Sequence, residues 1–200
     1  MPSARTLSRH RIIDAALDIL DSYGLADLTM RRLGKSLSVG PGALYWHFES
    51  KQALIAALAE RIIAPACAHT DTPVEQPLNR EARCLAVDNA ASSLRSALLE
   101  HRDGAEIVSA ALTHEPLATM LRATLRSATG DDVAANTLLY FVLGATAHEQ
   151  SALALALALA QAVAPDATES QVHSVHNAAT EQFTQGVELI KAGIVATQAQ

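Results

Sequence analysis

The eight histidines are the first place to look for chemistry in this 200-residue chain, because a neutral imidazole is the commonest metal ligand. His173-x-x-His176 has a spacing that can turn both rings to one side of a helix, yet no Cys, Asp or Glu pattern completes a ligand set. With Pro165 nearby, a surface loop is the expected setting. His114-Glu115 reads as a helix entry. His148-Glu149 falls in an apolar stretch, so that pair must find water, a partner subunit or a ligand. Asp103 is expected to cap a helix rather than to act as an acid. Cys67 and Cys84 make no disulfide framework and no CxxC site, and read as two buried thiols in a reducing compartment. Gly40-Pro41-Gly42 lacks the Lys-Ser/Thr that follows in a phosphate-binding loop. No nucleophile–base pair, metal set or phosphate cradle is found, so the expectation is a chain with no catalytic residues, metal or cofactor, and not an enzyme.

The elements that position these residues are expected to be helices throughout. Half of the chain is hydrophobic and 18% charged, while aromatics make up only 4%. That is enough apolar material for a core, one built from Ala and Leu, and both favour helix. Residues 1–51 hold seven Lys/Arg against five acids (+2), the remainder eight against sixteen (−8), which together give the net −6. A small basic head on an acidic body follows. A charge of +2 is modest, so any phosphate contact must come from local geometry. The polar, basic start has no apolar signal segment behind it, and Ser151–Ala160 is too short to span a bilayer. The expectation is a soluble, cytoplasmic chain without membrane contact.

Ile13, Ala16, Leu17 and Leu20 give a first helix, about Ser8–Tyr23, stopped by Gly24. Thr29 can cap a second over Met30–Leu37, and Gly40-Pro41 suits a turn into a short third. Ser50 can cap a fourth carrying Leu54, Ala57, Leu58 and Ile62. Two short helices joined by a tight turn describe a helix-turn-helix, although periodicity alone fits any small helical bundle equally well. Pro65, Pro73 and Pro77 bracket a loose stretch over 69–79. Further helices are expected over about 80–100 (Ala90, Leu94, Ala97, Leu98), 104–112 and 116–127. Gly130 ends the last of these, and Asp131 can cap a long helix to about Val163. That helix is apolar nearly all round and must be covered on all sides. Residues 165–173 read as a loop. A final helix, about Asn177–Ala196, carries Phe183, Val187, Ile190 and Ile194 at 4-3-4 spacing, a bundle seam.

Leu28-Thr29-Met30-Arg31-Arg32-Leu33, Val39, Leu44-Tyr45-Trp46-His47-Phe48 and Lys51-Gln52-Ala53-Leu54 together resemble the N-terminal module of the tetracycline-repressor (TetR) family over residues 8–58. In the body, the run from Leu94 to Ala105, containing His101-Arg102-Asp103-Gly104, resembles a segment joining two core helices of the tetracycline repressors. Phe141-Val142-Leu143-Gly144 resembles part of their dimerisation helix.

The resemblance implies an all-α, ligand-responsive regulator, acting as a repressor. It would have a helix-turn-helix head over 1–58 and a ligand-binding and dimerisation body over 59–200. As a homodimer it would bind a palindromic double-stranded DNA operator and be released by a small-molecule inducer. Met30, Arg31, Gly40, Pro41, Gly42, Ala43, Tyr45, Trp46, His47 and Lys51 then make up the DNA-binding set. Arg31 would reach a base or phosphate, Pro41, Gly42 and Ala43 would face bases, and Tyr45, His47 and Lys51 would hold backbone phosphates. Gly42 and Ala43 offer no hydrogen-bonding side chain, which leaves much of the direct readout to Arg31 and the rest to DNA shape. Trp46 either packs the head or touches DNA. Arg5, Arg9 and Arg11 form either a solvated tail or an arm on DNA.

For the inducer, Val108 and His148 stand where tetracycline repressors place a metal-chelate histidine and carboxylate. Ala90 and Leu94 stand where their polar drug contacts lie. A Mg–tetracycline inducer is therefore not expected; a more apolar compound is, held by Arg122, Tyr140 and His148. The dimer seam is expected on the long and last helices, at Leu153, Leu157, Phe183, Val187, Ile190 and Ile194. A helical interaction or scaffold dimer without specific DNA binding is the alternative.

Overall fold

Short-range capping chemistry accounts for most of the helix starts. The computed structural model describes residues 7–68, 79–163 and 168–198. Among them are nine α-helices: α1 (Arg9–Tyr23), α2 (Met30–Ser36), α3 (Pro41–Tyr45), α4 (Lys51–Cys67), α5 (Arg80–Leu99), α6 (Gly104–Ala111), α7 (Glu115–Thr129), α8 (Asp132–Val163) and α9 (Thr168–Gln198). Ser8, Thr29, Ser50 and Asn79 accept from the backbone N–H groups of Arg11, Arg32, Ala53 and Ala82, which satisfies amides that a helix start leaves without partners. Asp131 does the same for Val133 and Ala134. Gly130, at φ 94°, turns the chain from α7 into α8.

The head packs α1, α2, α3 and the start of α4 around Ile12, Ala16, Leu20, Leu28, Leu33, Leu44, Phe48 and Leu54. Ile12, and not Ile13, takes the fully buried position on α1; Ile13 only flanks the core. α4 runs on through Pro65, which falls in its last turn. Buried Ile62, Ile63 and Ala66 hold that turn in place. α4 touches α1 on one side and α5, α6 and α7 on the other, so it is the strut between head and body. The expected loose stretch over 69–79 lies, Asn79 excepted, outside the described residues.

In the body α8 packs against α5, α6, α7 and α9. Its inward side buries Ala135, Leu138, Leu139, Val142 and Leu143. By length and composition Asp132–Leu159 could cross a membrane, but that inward side is already the core of a helical body. Three expectations need correction. Within one chain α8 is not covered all round, since Leu155, Leu157 and Leu159 are 61%, 43% and 54% exposed. α9 starts at Thr168 rather than near Asn177, so His173 and His176 lie on a helix, not in a loop. The cysteines are also half-buried rather than fully buried. Burial pushes the Cys67 thiol up, against a hydrogen bond with Thr124 that lowers it.

Candidate nucleic-acid interface

The head closes on a four-residue turn between α2 and α3. Gly34 lets this turn sit against α2, because a Cβ there would come within 2.9 Å of the Val39 carbonyl oxygen. The Val39 N–H donates to the Gly34 carbonyl at 2.8 Å. Ser38 pays for the tight path with φ 57°, a left-handed conformation that disfavours side chains.

On α3 the sequence separates inward from outward residues cleanly. Leu44 is fully buried, whereas Gly40, Pro41, Gly42 and Tyr45 are exposed and Ala43 half-exposed. Trp46 is 91% exposed, so it does not pack the head. His47 and Lys51 are half-buried beside this face, and Arg31 is exposed on α2. One expected member drops out: Met30 is 8% exposed, its side chain a part of the head core. Its place at the first position of α2 turns the thioether inward, away from the face that Arg31 shares.

Two arginines brace this face. Arg32 pairs with Asp27 and lies over the Tyr23 ring at 3.8 Å. Arg9 donates to the His47 carbonyl oxygen and lies over the Phe48 ring at 4.2 Å. Arg9 is thus no loose tail; it ties α1 to the end of the recognition helix. A rigid platform of small and aromatic residues, flanked by Arg31 and Lys51, suits the major groove of duplex DNA.

The sequence profile described as bacterial regulatory proteins, tetR family, matches residues 12–58. The tetracycline repressor protein class C of Escherichia coli is 32% identical over 203 residues, covering 94% of this chain and 90% of that protein. The chain belongs to the TetR family. The crystal structure of Mycobacterium smegmatis BioQ superposes with a TM-score of 0.74 at 37% identity, covering 96% of this chain and 99% of that one. BioQ with its natural double-stranded DNA operator gives 0.71 at 35%, with the same coverages. The fold is that of a TetR-family transcriptional regulator with an N-terminal helix-turn-helix head.

The residues expected to hold a TetR-type inducer are not gathered into one pocket. Leu94 and Val108 are filled core, 1% and 0% exposed. Ala90 is half-buried beside them. Arg122 faces Glu115 across 4.0 Å on α7. Tyr140 and His148 are exposed on α8.

The expected seam residues divide in the same way. Phe183, Val187 and Ile194 are 6%, 4% and 5% exposed within a single chain. Phe183 stacks on Phe141 at 5.6 Å, so this part of the 4-3-4 pattern joins α9 to α8 within one chain. Leu153 and Ile190 are half-buried, and Leu157 is exposed.

The structure instead shows polar connections that sequence spacing hides. Glu149, 1% exposed, accepts from Arg95 at 2.7 Å and pairs with His176 at 2.8 Å. Arg95 also reaches Thr180 at 2.9 Å. α5, α8 and α9 are thereby joined by a charge cluster. Asp103 stands at the N-cap position of α6 with φ 55° but makes no capping bond. Its carboxylate accepts from the Leu25 N–H of the head at 2.7 Å. Asp21 of α1 accepts from Arg102 N–H at 3.0 Å and lies 3.0 Å from His101 Nδ1. The signal for these contacts was the His101-Arg102-Asp103-Gly104 run itself, whose partners lie some 80 residues away.

Proposed function

We propose that this chain is a ligand-responsive transcriptional repressor that binds a palindromic operator as a cytoplasmic homodimer and is released by a small-molecule inducer. The observation that carries the reading is the head: a closed core behind an outward face of Arg31, Pro41, Gly42, Ala43, Tyr45, Trp46, His47 and Lys51. The operator complex of the similar BioQ supports it. In this reading residues 1–58 are the DNA-binding unit and 59–200 the ligand-binding and dimerisation unit, with α4 spanning the two.

A dimer is supported by the outer surface of α8 and α9. Val133, Thr137, Tyr140, Gly144, His148, Ser151 and Leu155 recur at intervals of three and four along one exposed side of α8. On α9 Leu189 is 76% exposed. Between the two helices runs a groove of about 550 Å³ lined by Val133, Ala134, Thr137, Leu189, Ile190, Gly193 and Ile194, with Asp131 and Thr197 at its edge. Glycines at 144 and 193 have open space around them, room for another helix to approach closely. A second copy laid on this face buries the apolar surface that one chain leaves wet.

Release requires that the inducer bind better to the dimer whose heads are misplaced for successive grooves. Mg–tetracycline is a poor candidate, because Val108 offers a buried isopropyl group that cannot ligate a hard cation. A more apolar compound suits the body better.

Selection of random duplexes by the purified protein, at low and at physiological salt, tests the reading. The expected result is an enriched palindrome whose binding weakens steeply with salt. A stable dimer that enriches nothing, once freed of any co-purified ligand, supports the scaffold alternative.

A further inference from the structure

Gln150 sits on α8 beside buried Glu149 but faces a different neighbour. Its amide nitrogen donates to the carbonyl oxygens of Leu98 at 3.0 Å and His101 at 2.8 Å, and its oxygen accepts from the Ala105 N–H at 3.2 Å. Both donors and the acceptor are therefore spent on the turn between α5 and α6. That turn has little freedom to deform. A Cβ on Gly104 would lie 2.3 Å from the Leu98 carbonyl oxygen, and Asp103 is held at φ 55°.

The far side of the same turn grips the head. Asp21 takes the Arg102 N–H, and Asp103 takes the Leu25 N–H. Gly24, at φ 85°, leaves room for this docking, since a Cβ there would come within 2.9 Å of the Asp103 carboxylate. A polar route thus runs from α8, through a stiff turn, to the end of α1 and to Leu25 just after it. Gln150 is its one link to α8 among the described hydrogen bonds.

We propose that Gln150 is a positioning residue that sets the orientation of the head relative to α8, and through it the half-site spacing that the dimer accepts. The inference rests on the dimeric, palindrome-binding reading above. α8 carries the face on which two copies would meet, so the angle between α8 and each head fixes the distance between the two recognition helices. A slack clamp lets that distance vary; a tight one selects a single spacing.

The test uses full-length protein and a set of duplexes carrying the same two half-sites, moved apart or together by single base pairs. Wild type is expected to prefer one spacing. Gln150→Leu keeps the bulk and removes all three bonds; its preference for that spacing over its neighbours is expected to fall about tenfold. Its affinity for an isolated half-site and its dimer mass in light scattering stay unchanged. Asp21→Ala and Asp103→Ala together sever the route at the head end and read the same property should Gln150→Leu not fold. Adding both to Gln150→Leu is expected to make its preference no worse, because all three changes cut one route. A folded Gln150→Leu dimer with wild-type spacing preference overturns the inference and leaves the dimer reading intact. A wild type that binds every spacing alike overturns the palindrome reading, and this inference with it.

Discussion

Arg31 and Arg32 are neighbours in α2 with opposite fates. Arg32 is fixed between Asp27 and the Tyr23 ring, so its charge braces the head. Arg31 is exposed and, beside a helix α3 with no hydrogen-bonding side chain at 42 or 43, is in the proposed function the residue left to read bases. Arg31→Ala is therefore expected to lose about 1–3 kcal/mol of discrimination between operator and scrambled duplex. Competition binding checks this, and an unchanged ratio would assign Arg31 to phosphate alone. Ser38 shows a second single-residue effect. Its φ of 57° costs a side chain more than it costs glycine, while glycine loses more freedom on folding. Ser38→Gly is expected to stabilise the protein by about 1 kcal/mol or less, read from the midpoint of urea unfolding. A destabilised variant would mean that the serine hydroxyl holds the turn.

At the scale of elements, α8 and α9 meet where one side chain is missing. A Cβ on Gly186 would lie 2.2 Å from the ring of Phe141, a ring already stacked on Phe183. Gly186→Ala is expected to cost about 1–3 kcal/mol, and Phe141→Leu in the same chain to restore part of it. A cost that Phe141→Leu does not relieve would show that the helices can shift apart. The helices themselves were largely legible in the sequence, because caps act over three residues: Thr29, Ser50 and Asp131 cap as expected. Ile12 replaced Ile13 because stripes at 3.6-residue spacing tolerate a rotation of the helix by one position. The early start of α9 was hidden by polar, His-containing turns that carry no apolar stripe. Of the site, the outward residues of α3 were legible through the family resemblance, which left Trp46 open between core and surface. Met30 could not, since its direction depends on the head core. Nor could the contacts of Asp103 and Glu149, because carboxylates that bond across 54 and 78 residues leave no local pattern.

For the whole molecule, the proposed dimer depends on the outward faces of α8 and α9. Leu189 touches little of its own chain, being 76% exposed, so Leu189→Asp leaves the monomer fold in place and sets like charges together where two copies would meet. It is expected to shift the protein from dimer to monomer in light scattering, and to bring operator affinity down to that of a single half-site. A dimer that survives would move the two-fold axis to another face. Trp46 has a consequence of a different kind. It is the chain's one tryptophan, it is 91% exposed, and it stands on the face proposed to meet DNA. Its near-ultraviolet emission in the folded protein is accordingly that of a solvated indole and barely changes when the body unfolds. Docking onto a duplex replaces water around the ring with bases and sugar, so the protein carries its own optical reporter. The signal responds to engagement of the head and stays silent to what happens in the body.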